Sequence, residues 1–178
     1  MHLTTGQYAS AFHFFSASIN LKPDFASSYM YLGITLSRLE DFENACAAYE
    51  KAIEISPGDP ISRIGLASTI VIENENRYRL WVELIATGAD RDQANRIRSE
   101  IDERIQKARG LLSEALRSTG GSIADARIYL GLLDLQSDPR IHPGYLAQAR
   151  KNFESALPRR QSNANEIPSL DASIHLYN

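Results

Sequence analysis

The stretch YMYLGITLSRLEDFENACAAYEKAIEISPGDP, from Tyr29 to Pro60, decides the fold. Its small, large and helix-breaking residues fall at fixed distances. Two antiparallel helices that cross closely need small side chains where their backbones approach. Gly33 fills that role on the first helix, and Ala45 and Ala52 fill it on the second. Tyr29, Leu32 and Leu36 fill the gaps from one side and Tyr49 from the other. Pro57 cannot continue a helix and forces a turn. Asp59 then reads as an N-cap, with Pro60 in the first helical position.

Counted from Ala26, these residues occupy the diagnostic slots of the tetratricopeptide repeat, with Leu36 in place of the usual tyrosine. The pattern recurs. Ala11, Phe15 and Pro23 lie 34 residues before Ala45, Tyr49 and Pro57, so residues 1–24 read as the second helix of an earlier repeat. Residues 26–59 form a full repeat. A third repeat, 60–121, carries an insertion at about 77–105: after Leu66 and Ala67, the second-helix pattern returns only at Ala108, Leu112 and Ala115. A fourth, 122–158, has Leu130 and Gly131 in its first helix and Ala149, Phe153 and Ala156 in its second, with a long turn at Asp138 to Gly144. Gly120-Gly121 suits a helix end, and Ser122 with Asp125 suits a capping box for the next helix. Residues 159–169 read as a linker and 170–178 as the start of a further helix. The predicted fold is all-α: a tetratricopeptide-repeat solenoid of antiparallel helix pairs, truncated at both ends, with a long helical insertion.

The insertion reads as helix because Ile97, Ile101, Ile105, Ala108 and Leu112 form an apolar stripe. Glu100–Arg104 and Glu103–Lys107 are expected to pair one turn apart on its other faces. Tyr78, Trp81 and Leu84 are expected to pack on this long helix rather than to serve as an interface. At the ends, Phe12, Phe14 and Phe15 lie on a helix whose partner is missing, so the chain reads as an excerpt of a longer array that associates through residues 8–19.

Composition narrows the function classes. The 178 residues carry 19 Lys and Arg against 22 Asp and Glu, a formal charge of −3, which gives no footprint for nucleic acid. One cysteine makes no internal disulfide, and a reducing, cytoplasmic compartment is expected. No apolar run approaches the length of a membrane span. His2, His13, His142 and His175 are scattered, Cys46 sits beside a helix-crossing alanine, and no glycine-rich loop joins a strand to a helix. No catalytic, cofactor or metal site is expected, and the chain is read as no enzyme.

Function must then come from surfaces. The inner, concave face of this repeat type is lined from the first helix of each pair. The second repeat offers Ser27, Met30, Ile34 and Ser37; the third Ile61, Ile64, Ser68 and Val71; the fourth Asp125, Ile128, Leu132 and Leu135. These slots hold no basic residue and no asparagine, which argues against capture of a peptide carboxylate and for an apolar occupant such as a helix or a subunit.

One segment is more particular than the repeat. The run Gln7-Tyr8-Ala9-Ser10-Ala11-Phe12-His13-Phe14, then Leu39-Glu40-Asp41, Glu43-Asn44-Ala45 and Ala48-Tyr49, resembles the late repeats of the family of the fourth Bardet–Biedl syndrome protein, a BBSome subunit, over about residues 1–67. That resemblance implies a scaffold in a complex that carries ciliary membrane proteins. It implies other subunits of a BBSome-like complex as partners, with centriolar-satellite or dynein–dynactin components beside them. The implied location is cilium, basal body or centrosome. The charged helix from Arg91 to Arg117 departs from the family, which keeps open a general intracellular repeat adaptor or assembly factor unrelated to cilia.

Overall fold

The structure is a computed structural model; it describes residues 5–121, 123–137 and 144–157. They form helices α1 (Thr5–Leu21), α2 (Ala26–Arg38), α3 (Phe42–Ile55), α4 (Pro60–Thr87), α5 (Arg91–Ser118), α6 (Ala124–Leu135) and α7 (Tyr145–Ala156), with no strand among the described residues. Each helix packs on the next, and α2 also touches α4, and α4 also touches α6. That pattern makes a solenoid: α2, α4 and α6 form one row, with α1, α3, α5 and α7 on the other side.

Helix ends follow local chemistry. The Asp59 carboxylate accepts from the backbone amides of Ile61 and Ser62 at 3.0 Å, with Pro60 opening α4. Asp90 caps α5 by accepting from the Gln93 amide at 2.8 Å. Gly88 closes α4 with φ 64°, where only glycine is unstrained. Gly120 and Gly121 follow α5 with φ of 61° and 79°, and the Gly121 amide donates back to the Leu116 carbonyl at 2.7 Å. At α6, Ile123 stands at the N-cap and makes no side-chain cap itself, and the capping box expected from Ser122 lies outside the described residues. Ser122, the Asp138–Pro143 turn, the linker and the terminal helix lie outside the described residues.

Helices α4 and α5 are 28 residues each, and the stretch read as an insertion, about 77–105, falls across both of them. Ile97, Ile101, Ile105, Ala108 and Leu112 all face inward and are buried. Across from them stand Ile70, Asn74, Arg77, Trp81 and Leu84, alternating four and three residues apart, the spacing of a coiled-coil seam. The two charge pairs expected along α5 are replaced by bridges to other helices. Arg104 pairs with Glu73, Glu100 with Arg77 at 2.8 Å, and Lys107 with Glu50 of α3 at 2.6 Å. Of these only Arg104–Glu73 is partly shielded from solvent, whereas exposed pairs such as Lys107–Glu50 are worth little.

The closest packing is around one ring. Tyr49 lies between Gly33 of α2 and Gly65 of α4; a Cβ at Gly33 would stand 2.9 Å from the ring, and one at Gly65 only 2.4 Å. The same device recurs where Gly131 of α6 faces Phe153 of α7, with 2.6 Å left for a Cβ.

Candidate functional site

The first helices α2, α4 and α6, whose slots were expected to line an inner face, stand in one row. Ile34, Ile61 and Ile128 project from three successive first helices and are exposed, with Asp125 exposed beside them. Ser27 and Ser68 are half-buried, and the Ser68 hydroxyl is spent on the Gly65 carbonyl at 2.8 Å. Met30 and Leu132 are half-buried and pack against the core. Ile64 is a correction: it belongs to the core, as does Val71. The physical reason is geometric. The Ile64 slot faces the following first helix, so α6 covers it, while Ile128 in the same slot of α6 has no following first helix among the described residues.

The residues expected to hold the repeats together fall as follows. Ala45, Tyr49, Ala52, Gly33, Gly131 and Ala149 are buried. Tyr29, Leu32, Leu130, Phe153, Ala156, Ala11 and Phe15 are half-buried, with Phe15 stacked on Tyr31 at 5.3 Å between centroids. Pro57 is exposed and acts as a stop, its carbonyl taken by Arg63. Tyr78 is exposed, whereas Trp81 and Leu84 pack against the core. A second concavity of about 470 Å³ opens between α1 and α3 over α2, lined by Phe12, Tyr29, Leu32, Leu36, Ala48 and Lys51 among others.

Two polar clusters escaped sequence reasoning. Asn74 is fully buried in the α4–α5 seam; its side-chain oxygen accepts from Arg104 Nε at 3.0 Å and its amide reaches the Ile101 carbonyl at 3.5 Å. Asp134 is buried between three helices, pairing with Arg109 of α5 at 2.5 Å and accepting from Asn152 of α7 at 2.7 Å. An asparagine falling in step with the apolar residues of α4 was the available signal for the first. The Asp134 cluster joins three helices and has no local pattern.

Burial dominates the titration of two groups. It pushes the Tyr49 phenol up to about 12, with a hydrogen bond to Ser37 working the other way. It also raises the Cys46 thiol, assisted by Glu73, which favours the protonated sulfur. Among the described residues, no group of three His, Cys, Asp or Glu side chains is placed to hold a metal. No helix among them is long and apolar enough to cross a membrane.

The tetratricopeptide-repeat family model matches residues 26–59. The chain is similar to BBSome complex member BBS4 of Bos taurus, 44% identical over 80 residues, which is 45% of this chain and 15% of that protein. The Mus musculus protein of the same name is 41% identical over 80 residues, with the same coverage. A BBS4 homolog of Drosophila melanogaster is 47% identical over 58 residues, 33% of this chain and 12% of that protein. The chain therefore spans about 15% of the length of the relatives it matches. Among solved structures, a thermophilic TPR protein of Thermus thermophilus aligns over 97% of this chain and 89% of its own, at 16% identity and a TM-score of 0.40. The crystal structure of MamA aligns over 88% and 94%, at 15% identity and a TM-score of 0.37.

Proposed function

We propose that the chain is a non-enzymatic protein-interaction scaffold of BBSome type, acting in the trafficking of ciliary membrane proteins. The observation that carries this reading is the row of exposed isoleucines, Ile34, Ile61 and Ile128, repeated on successive first helices of a chain that matches BBS4 over 80 residues. Exposed apolar residues recurring on one side of a rod suit a partner that lies along it. The partners are other subunits of a BBSome-like complex, and centriolar-satellite or dynein–dynactin components follow only from the resemblance. The location is cilium, basal body or centrosome on the same ground.

The test is co-expression with the remaining BBSome subunits of the source organism and size-exclusion chromatography. The chain co-elutes with them, and the Ile34→Glu, Ile61→Glu, Ile128→Glu triple variant elutes alone while keeping its helical circular dichroism. Separate elution of the unaltered chain overturns the reading. A second reading, a general repeat adaptor with other partners, is favoured by one feature: the lengthened α4–α5 pair, which the repeat pattern does not call for.

A further inference from the structure

The segment Leu21-Lys22-Pro23-Asp24 joins α1 to α2. Leu21 is 88% exposed, the highest value of any large apolar residue among the described residues. Lys22, Pro23 and Asp24 are exposed beside it. The backbone makes a tight turn, the Phe25 amide donating to the Lys22 carbonyl at 3.2 Å. Pro23 holds the second position of that turn, where its fixed φ fits.

The repeat accounts for Pro23 but not for the residues around it. The turn after α3 has the same build, with the Asp59 amide donating to the Ser56 carbonyl at 3.1 Å and Pro57 in the same position. It forms with Ser56 where the first turn has Lys22, and with Gly58 where the first has Asp24. Ile55, the counterpart of Leu21, is half-buried. Phe25, which cannot cap a helix, stands at the N-cap of α2. The Asp24 carboxylate has no hydrogen-bond or ion-pair partner among the described residues.

The chain has four lysines. Lys51 and Lys107 lie on helices and pair with Glu54 at 2.9 Å and Glu50 at 2.6 Å. Lys151 lies within α7. Lys22 is the one outside a helix, and its ammonium stands 5.3 Å from the centroid of the Phe25 ring, a weak contact at an exposed site.

We propose that Lys22 is the acceptor of a small ubiquitin-like modifier. An aliphatic residue, a lysine, one free position and a carboxylate is the tetrad read by the enzyme that conjugates such modifiers. The aliphatic side chain meets an apolar patch, the carboxylate meets basic side chains, and the lysine stem between them reaches the enzyme's cysteine. Leu21, Lys22 and Asp24 supply those three contacts, and the core uses none of them. Straightening the segment breaks one hydrogen bond, from the Phe25 amide to the Lys22 carbonyl. Pro23 already biases Lys22 toward an extended backbone.

The modifier arrives as a thioester between its C-terminal glycine and that cysteine. The neutral Lys22 amine attacks the thioester carbonyl carbon. A C–N bond forms, the C–S bond breaks, the cysteine leaves as a thiolate, and the proton shed by the amine ends on that sulfur. The product is an isopeptide, with no change of oxidation state. None of this depends on what occupies the row of exposed isoleucines.

The test incubates the purified chain with ATP, the modifier, and its activating and conjugating enzymes, without a ligase. Gel electrophoresis shows a single added modifier, and mass spectrometry finds the glycine remnant on Lys22. Lys22→Arg abolishes the conjugate. Asp24→Asn and Leu21→Ser each slow its formation by about tenfold, the loss of one binding contact. Leu21→Ile and Lys51→Arg leave the rate unchanged. All variants keep the wild-type thermal melt, because these side chains lie outside the core. A chain left unmodified, or modified on Lys51, Lys107 or Lys151 instead, overturns the proposal. So does conjugation at Lys22 that is indifferent to Asp24→Asn and Leu21→Ser, which assigns it to the bare reactivity of an exposed amine.

Discussion

Tyr49 is wedged between two glycines on different helices, and the space left at each sets a different cost for adding one methyl group. At Gly65 the new Cβ would stand 2.4 Å from the ring, which also lies against Gly33. Gly65→Ala should therefore destabilise by about 1–3 kcal/mol, despite the better helix propensity of alanine. Gly110, on the exposed side of α5 with nothing within 4 Å of a Cβ, is the control. Gly110→Ala should stabilise by about 0.5–1 kcal/mol. Urea titrations of both variants check the pair, and equal shifts would mean the ring does not set the helix spacing. Truncating the ring itself, Tyr49→Ala, should cost about 3–5 kcal/mol. Its phenol adds a pH signature. The folded-state value is raised to about 12 against an ordinary 10, so the folded chain holds the neutral form more tightly than the unfolded chain does. That stabilisation is complete below pH 10 and is lost as pH rises from 10 to 12. The melting temperature of the wild type should fall through that window faster than that of Tyr49→Phe. Gly33, Ala45, Tyr49 and Ala52 were readable in advance because their spacing expresses one close helix crossing. Gly65 was not, because it lies two residues before the slot where the repeat pattern looks for a small residue, and only a lone glycine inside a helical run marked it.

Helices α4 and α5 carry the clearest contrast between what sequence pattern discloses and what it hides. The stripe from Ile97 to Leu112 announced a long apolar face, and every member of it is buried. What periodicity along one helix could not reveal was the partner. The inserted residues are shared between two antiparallel helices, and charges expected to pair along α5 instead reach Glu73, Arg77 and Glu50 on other helices. Likewise, first-helix slots read as groove lining divide according to their neighbours: Ile64 is covered by the next helix and Ile61 is not. Asn74 interrupts the seam with a polar layer that fixes how the two helices slide past each other, since its oxygen finds Arg104 in one register only. Asn74→Leu leaves Arg104 Nε without its acceptor while the guanidinium keeps Glu73, and Arg104→Met leaves the Asn74 side-chain oxygen without its donor. Each single change should cost about 1–3 kcal/mol. The double change removes both polar groups and should recover most of that loss, with a coupling of about 1 kcal/mol or more in a double-mutant cycle. Additive losses would show that the two side chains do not act as a unit.

Across the molecule, stability is passed from one helix pair to the next, because each helix packs mainly on its chain neighbours. A rod of this kind can loosen at one end while the other holds. The join most exposed to that risk is the one between the α4–α5 pair and the α6–α7 pair, where the buried Asp134 carboxylate ties Arg109 of α5 to Asn152 of α7. Asp134→Leu leaves Arg109 without its counter-charge in a site only 24% open to solvent on the arginine side. Breaking such a pair from one side should cost on the order of 3 kcal/mol. The loss should also be local. Hydrogen exchange followed by mass spectrometry should show amides of α6 and α7 exchanging faster by about two orders of magnitude, with α2 and α3 unchanged. Adding Arg109→Met removes the stranded charge and should restore most of the protection. If α2 and α3 lose protection together with α6 and α7, the chain unfolds as one cooperative unit, and the neighbour-to-neighbour account of the rod is wrong. If the loss stays confined, the α6–α7 pair is the part of the rod that can shift on its own, and its loosening would uncover Ile64 and Val71 on α4.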